Sequence, residues 1–116
     1  MIELKYSRGE IWMVDLNPTK GREQSGIRPA LIISDDNFNQ GPAELLIVLP
    51  ITSKNKNQPL HIEILPQQSG LHEISYIKCE DIKSISKERC IKRIGKASNI
   101  ILKDCEHILK LLLSFG

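Results

Sequence analysis

Apolar and polar residues alternate along most of this chain with the period of strands, and only its end changes to the period of a helix. In Glu10–Leu16 (EIWMVDL), Trp12, Val14 and Leu16 share one face, the pattern of a half-buried strand, and Asn17-Pro18 ends it. Ala30–Ser34 is apolar on both faces, which predicts a short central strand. Leu45–Thr52 (LLIVLPIT) predicts a third. Pro50 within it has no N–H for a ladder, so a bulge or an edge position is expected there. Leu60–Leu65 (LHIEIL) sets Leu60, Ile62 and Ile64 inward and His61 and Glu63 outward. Ser75–Cys79 and Cys90–Ala97 read as further strands, and Ser86–Arg89 as one helical turn capped by Ser86. Polar loops run through Thr19–Ile27, with Gly21 and Gly26, and through Asp35–Pro42 and Ser53–Pro59; Gln67–Leu71 turns around Gly70.

At the end of the chain, Ile101, Cys105, Ile108 and Leu112 follow the 3.6-residue repeat, as do Leu102, Leu109 and Leu113. Ser98 or Asn99 can cap the start, so a helix is predicted over Ile100–Ser114. Short strands joined by turns and closed by one helix predict a mainly β fold, a small, strongly bent antiparallel barrel or sheet with helical packing. A βαβ unit is disfavoured, because no helical segment of useful length lies between strands.

The length of 116 residues predicts one domain with a modest core, made mostly of Ile and Leu because aromatics are few. No apolar run is long enough to span a bilayer. The opening MIELKYSRGE is too charged for a secretory signal. Together with three cysteines at odd spacing (Cys79, Cys90, Cys105), it predicts a reducing cytoplasm and free thiols. Net charge is only +2, but Lys83–Lys96 holds six basic side chains against Glu88 alone. Such a run reads first as a solvated face, with a phosphate footprint as the alternative.

Metal chemistry finds little support, since His61, His72 and His107 are scattered and Asp35-Asp36 is a loop pair. No P-loop, GxGxxG or GxSxG occurs, and spacing does not set a cysteine beside a histidine. Metal-free RNA cleavage needs less. The ribose 2′-OH is the nucleophile, and the protein must orient it, stabilise charge on the phosphate and move protons. Arg28, held extended by Pro29 in GREQSGIRPALIIS (Gly21–Ser34), can present its fork to a phosphate, and the hydroxyl of Thr52 can bond the same group. Each has a plainer reading: a surface salt bridge from Arg28 to Glu23 or Asp15, and a strand terminus at Thr52.

The segments RGEIWMVDLNPTKGREQSGIRPALIIS (Arg8–Ser34), Phe38-Asn39, VLPITS (Val48–Ser53) and KCEDIKSISKERCIKRIGKAS (Lys78–Ser98) resemble the MazF/PemK-type toxins of bacterial toxin–antitoxin modules. The resemblance covers nearly the whole chain. It implies the plasmid-maintenance-toxin fold, an SH3-like small barrel with a C-terminal helix, assembled as a homodimer in the cytoplasm. It also implies a metal-independent endoribonuclease, needing no cofactor, that cuts single-stranded RNA at short sequences into 2′,3′-cyclic phosphate and 5′-hydroxyl ends. The implied partner is a cognate antitoxin that covers the RNA groove.

Carried over by residue, the resemblance makes Arg28 and Thr52 catalytic. Glu23 and Gln24 stand in the substrate-covering loop. Ser53, Lys54 and Lys56 follow the threonine as RNA contacts. Glu80 and Asp81 take the strand-end positions that contact bases in some relatives. Two departures stand out. Arg22 replaces a histidine found before the EQ pair in some relatives, and Lys78-Cys79-Glu80 replaces an Arg-Cys-Asp triplet. Acid–base work by that triplet would fall here to Lys78 and Glu80; base reading by the carboxylate is the favoured role. The same barrel also serves gyrase-poisoning toxins, so a non-catalytic toxin that binds a protein target is the alternative.

Overall fold

The computed structural model describes residues 5–116; residues 1–4, part of the charged N-terminal run, lie outside the described residues. The elements follow as β1 (Glu10–Asp15), β2 (Ile27–Ile32), α1 (Asp36–Asn39), β3 (Leu45–Thr52), β4 (His61–Ile64), α2 (Pro66–Ser69), β5 (Ser75–Lys78), β6 (Lys83–Ser86), β7 (Cys90–Lys96) and α3 (Asn99–Leu113). Short 3-10 turns cover Cys79–Asp81 and Lys87–Arg89, the second capped by Ser86 as its sequence predicts.

All pairings are antiparallel, in the order β4-β5-β3-β2-β1-β7, with β6 also on β3. This is the mainly β architecture with a C-terminal helix that the periodicity predicts. The unpredicted strand is β6: its sequence KSIS buries Ile85 alone, too little for a pattern to register. The polar connection Asp35–Pro42 contains the helical turn α1, which Asp35 caps by accepting from the Asn37 N–H. The turn around Gly70 begins as a helix at Pro66 and ends with Gly70 left-handed at φ 83°.

β3 is the spine. On one edge it pairs with β2 through Ala30↔Pro50, Leu31↔Leu49 and Ile32↔Val48. On the other, Leu45–Val48 pair with β6, and Ile51 and Thr52 pair with β5. Pro50 is therefore neither on an edge strand nor in a bulge; it falls where β3 changes partner. The hydrogen-bond phase explains why. Ile33 N–H donates to Ile47 O, so residues 47 and 49 direct their polar groups at β2, and Pro50 directs its bare nitrogen at the gap between β6 and β5.

Two apolar clusters lie on opposite faces of the curled sheet. One joins Ile11, Leu31, Leu49, Ile51, Ile64 and Ile77 to Ile101, Leu102 and Cys105 of α3. The other gathers Tyr6, Trp12, Val14, Leu16, Ile32, Leu46 and Val48. The face that Trp12, Val14 and Leu16 share in sequence is thus the inner face of the second cluster. Each fully buried aliphatic side chain contributes on the order of 1.5–3 kcal/mol. α3 is capped by Ser98, whose side chain accepts from Ile101 N–H, and is tied to the N-terminal segment by Arg8 Nη2 to Glu106 Oε1 at 2.8 Å.

α2 docks on β7 at closest range where Gly95 lies beneath the carbonyl of Ser69, and any Cβ there would overlap that oxygen. Gly95→Ala is therefore expected to cost about 1–3 kcal/mol, the usual penalty of overpacking. The check is a urea titration, in which the midpoint falls and the m-value stays constant.

Candidate nucleic-acid interface

The ladder between β1 and β2 decides what happens at Pro29. Leu16 N–H donates to Gly26 O, so the even residues of β2 face β1 and the odd ones face β3. Pro29 therefore directs its donor-less nitrogen at β3, and pairing with β3 stops at Ala30↔Pro50. Carried two residues further, the same register sets Arg28 against Thr52.

Beyond the stop, two cavities of about 570 Å³ each open in the surface. Both fall within the roughly 300–1,000 Å³ range of ligand sites. One is mainly apolar, walled by Met13, Ile27, Pro29, Ile51, Leu71 and Ile94, with His72, Lys92 and Arg93 at its rim. The other is polar, formed by the loops after β1 and β3 with His61, Lys78 and Glu80. Among the described residues, Arg28 and Thr52 are the only ones the two cavities share.

The plainer reading of Arg28 does not hold. Glu23 meets Lys83 Nζ at 3.6 Å, Asp15 Oδ1 accepts from Asn17 N–H, and among the described residues no carboxylate pairs with Arg28. Its Nε donates to Ser25 O at 3.3 Å, which fixes the stem and leaves the outer guanidinium nitrogens without a protein partner. Thr52 is 4% exposed, and its Oγ1 accepts from Lys54 N–H at 3.2 Å, so the hydroxyl proton is available to a ligand.

Glu23, Gln24, Lys54, Lys56, Lys78 and Glu80 all line the polar cavity. It holds five cations (Arg22, Arg28, Lys54, Lys56, Lys78) against the two carboxylates Glu23 and Glu80. Ser53 lines the apolar cavity instead. Asp81 lines neither. Its carboxylate accepts from Gln24 N–H at 2.7 Å and lies 3.8 Å from Lys78 Nζ and 3.5 Å from Lys83 Nζ. Lys78 Nζ in turn donates to Gln24 Oε1 at 3.3 Å. Asp81 thus fastens the glycine-containing loop to the sheet rather than facing the cavity.

Most of the basic run is used the same way. Lys83 holds Asp81 and Glu23, Lys87 approaches Glu44 at 4.0 Å, and Arg93 binds Glu10 at 2.8 Å. Arg89 donates to the carbonyls of Asp15 and Asn17. These cations brace strand ends, a role between the two that charge patterning offers. His61 is the site residue that sequence reasoning missed. It alternates outward from the core as expected, but its side chain is only 4% exposed, and its Nε2 lies 2.8 Å from Glu80 Oε2.

Among the described residues, no three His, Cys, Asp or Glu side chains gather as a metal site. No helix among them is long and apolar enough to cross a membrane. The cysteines are free thiols. Burial pushes the Cys90 thiol up to about 11, and a hydrogen bond with Cys79, together with burial, drives Cys105 far above the ordinary thiol range. Neither Cys90 nor Cys105 is activated as a nucleophile.

A curled antiparallel sheet with a C-terminal helix, and a groove with five cations against two carboxylates, defines a class of small β proteins. Within that class the chain belongs to the PemK-like, MazF-like toxins of type II toxin–antitoxin systems, whose family model matches residues 7–113. The chain is 36% identical over 111 residues to Endoribonuclease MazF9 of Mycobacterium tuberculosis, covering 91% of this chain and 94% of that one. To Endoribonuclease EndoA of Bacillus subtilis it is 29% identical over 108 residues, covering 92% and 93%. The MazF structure (Form-I) from Deinococcus radiodurans shares the fold with a TM-score of 0.86 at 24% identity, covering 97% of this chain and all of that one. A MazE–MazF structure (Form-II) from the same organism gives a TM-score of 0.80 at 25% identity, covering 98% and 100%.

Because the Cys90 thiolate forms only near pH 11 and Cys79 and Cys105 are buried, labelling with a thiol-specific disulfide reagent at pH 8 is expected to be slow. Stopped-flow comparison with the urea-unfolded chain is expected to show at least a ~10-fold difference, narrowing as pH rises towards 11.

Proposed function

We propose that this protein is an endoribonuclease toxin that cleaves single-stranded RNA, chiefly mRNA, at short sequences without a metal ion, and that a cognate antitoxin restrains it. The carrying observation is that Arg28 and Thr52 alone belong to both cavities. A strand crossing from one cavity to the other would bring a phosphate against both side chains. Family membership and two relatives named endoribonucleases support the activity. The MazE–MazF pairing in a relative supports the antitoxin. The reading includes a homodimer and a cytoplasmic setting, where mRNA is found and thiols stay reduced.

The chemistry follows from what each group offers. The substrate's 2′-oxygen attacks the adjacent phosphorus as it loses its proton. The bond from phosphorus to the 5′-oxygen breaks, and that oxygen gains a proton. The products are a 2′,3′-cyclic phosphate and a 5′-hydroxyl. Negative charge builds on the non-bridging oxygens, where the Arg28 fork makes charge-assisted hydrogen bonds. The Thr52 hydroxyl adds one donor, since its oxygen accepts from Lys54 N–H and leaves its proton unused within the protein. Lys54 and Lys56 stand free of ion pairs among the described residues, beside the path of the backbone. Because the nucleophile comes with the RNA, the reaction does not depend on a metal-activated water.

Purified protein is expected to cleave a long mixed-sequence RNA in EDTA, with mapped 5′ ends falling at one short sequence. Arg28→Ala is expected to lower the rate by about 10²–10³-fold, the scale of removing one oxyanion donor. Its melting temperature should shift by no more than ~4 °C, as for a partly exposed side chain without ion pairs. Absence of cleavage by the unmodified protein would refute the reading.

A further inference from the structure

The polar cavity contains a pairing that its catalytic residues leave unexplained. His61 on β4 lies opposite Lys78 on β5 and lines the cavity, with its side chain only 4% exposed. Nε2 lies 2.8 Å from Oε2 of Glu80, whose side chain is 30% exposed in the cavity. A carboxylate offers only acceptors, so Nε2 carries a proton. Nδ1 is buried and, among the described residues, has no hydrogen-bond partner. An unpaired buried polar atom is costly, and an apolar side chain of similar size would fill the same slot without that cost. What the imidazole supplies that such a residue lacks is the N–H held on Glu80.

Glu80 is held by this one contact. Among the described residues Oε1 accepts no protein hydrogen bond, and no lysine lies within ion-pair distance of the carboxylate. Asp81, the next residue, is consumed by Gln24, Lys78 and Lys83. Of the two adjacent carboxylates, only Glu80 has a free oxygen facing the cavity that Arg28 and Thr52 share.

We infer that His61 is a positioning residue for Glu80, and that the pair makes the polar cavity a base-selecting subsite beside the cleaved phosphate. The inference rests on the endoribonuclease reading. A fixed, acceptor-only oxygen pairs with an exocyclic amine, which adenine, cytosine and guanine carry. Uracil has no exocyclic amine, and its single N–H is flanked by two carbonyl oxygens that the carboxylate repels, so it pairs less well. The subsite therefore favours an amino-bearing base over uracil.

The test maps cleavage sites across a long RNA for the unmodified protein and for Glu80→Gln, His61→Leu and His61→Gln. Unmodified protein should show an amino-bearing base at one fixed position near the cut. Glu80→Gln brings an amide donor that can meet a uracil carbonyl, so uracil cutting at that position, relative to the amino-bearing base, should rise about tenfold. His61→Leu should relax the same ratio. His61→Gln, whose Nε2 can replace the imidazole donor, should restore it. Restoration by a group that cannot titrate separates positioning from proton transfer. If His61→Leu fails to fold, Glu80→Gln and His61→Gln carry the test. An unchanged uracil ratio in Glu80→Gln overturns the inference. So does an equal loss of cleavage at every site in both His61 variants, which would make the imidazole a proton carrier. If the unmodified protein cleaves nothing, the nuclease reading falls and this inference with it; if it cleaves without base preference at any fixed position, only the inference falls.

Discussion

The site depends on a missing hydrogen bond. In a continuous ladder residues 29 and 51 would pair, and the sheet would close over the space between β2 and β3. Pro29 has no N–H to give, and its nitrogen faces β3 at that step. Pro50 lies one residue before and turns its own bare nitrogen to the opposite edge, where β6 gives way to β5. Pro29 ends the pairing of β3 with β2, while Pro50 marks the change of partner on the other edge, where pairing resumes with β5 at Ile51. The strands can then diverge without stranding donors inside the protein. What they leave open is a groove at whose centre Arg28 and Thr52 stand on opposite banks.

Around that opening the charges are divided by task. Asp81, Lys83 and Glu23 form one chain of ion pairs that fastens the loop after β1. Arg89, in the turn before β7, and Arg93, on β7, brace the two ends of β1. Arg28, Lys54 and Lys56 stay free of such partners among the described residues. A side chain already compensated within the fold releases few counterions when a polyanion binds, so the free cations dominate the site's electrostatics. Total charge, at +2, says little about this.

The strands with clean alternation and the terminal helix were legible in the sequence because one face of each is buried and the other is wet. β6 was not, since one buried isoleucine makes no pattern, and α1 and α2 are single helical turns whose existence depends on local caps. β2 begins at Ile27, before the apolar run, because Arg28 and Pro29 hide a strand behind polar and cyclic side chains. Arg28 and Thr52 were visible as residues of a motif, but their opposition is a fact of register. His61 read correctly as pointing away from the core. Nothing local indicated that its side chain would be buried and paired with Glu80. Asp81 read as a base contact by its place at a strand end, and only its neighbours 57 residues away in sequence, at Gln24, give it to the loop instead.

The sharing of Arg28 between the two cavities links their fates. A guest in the apolar chamber and one in the polar chamber would draw on the same guanidinium. Whatever each does to the other's affinity must be reciprocal. A guest against Met13 and Ile94 thus bears on the neighbouring chamber without entering it, through the guanidinium and the hydroxyl that line both.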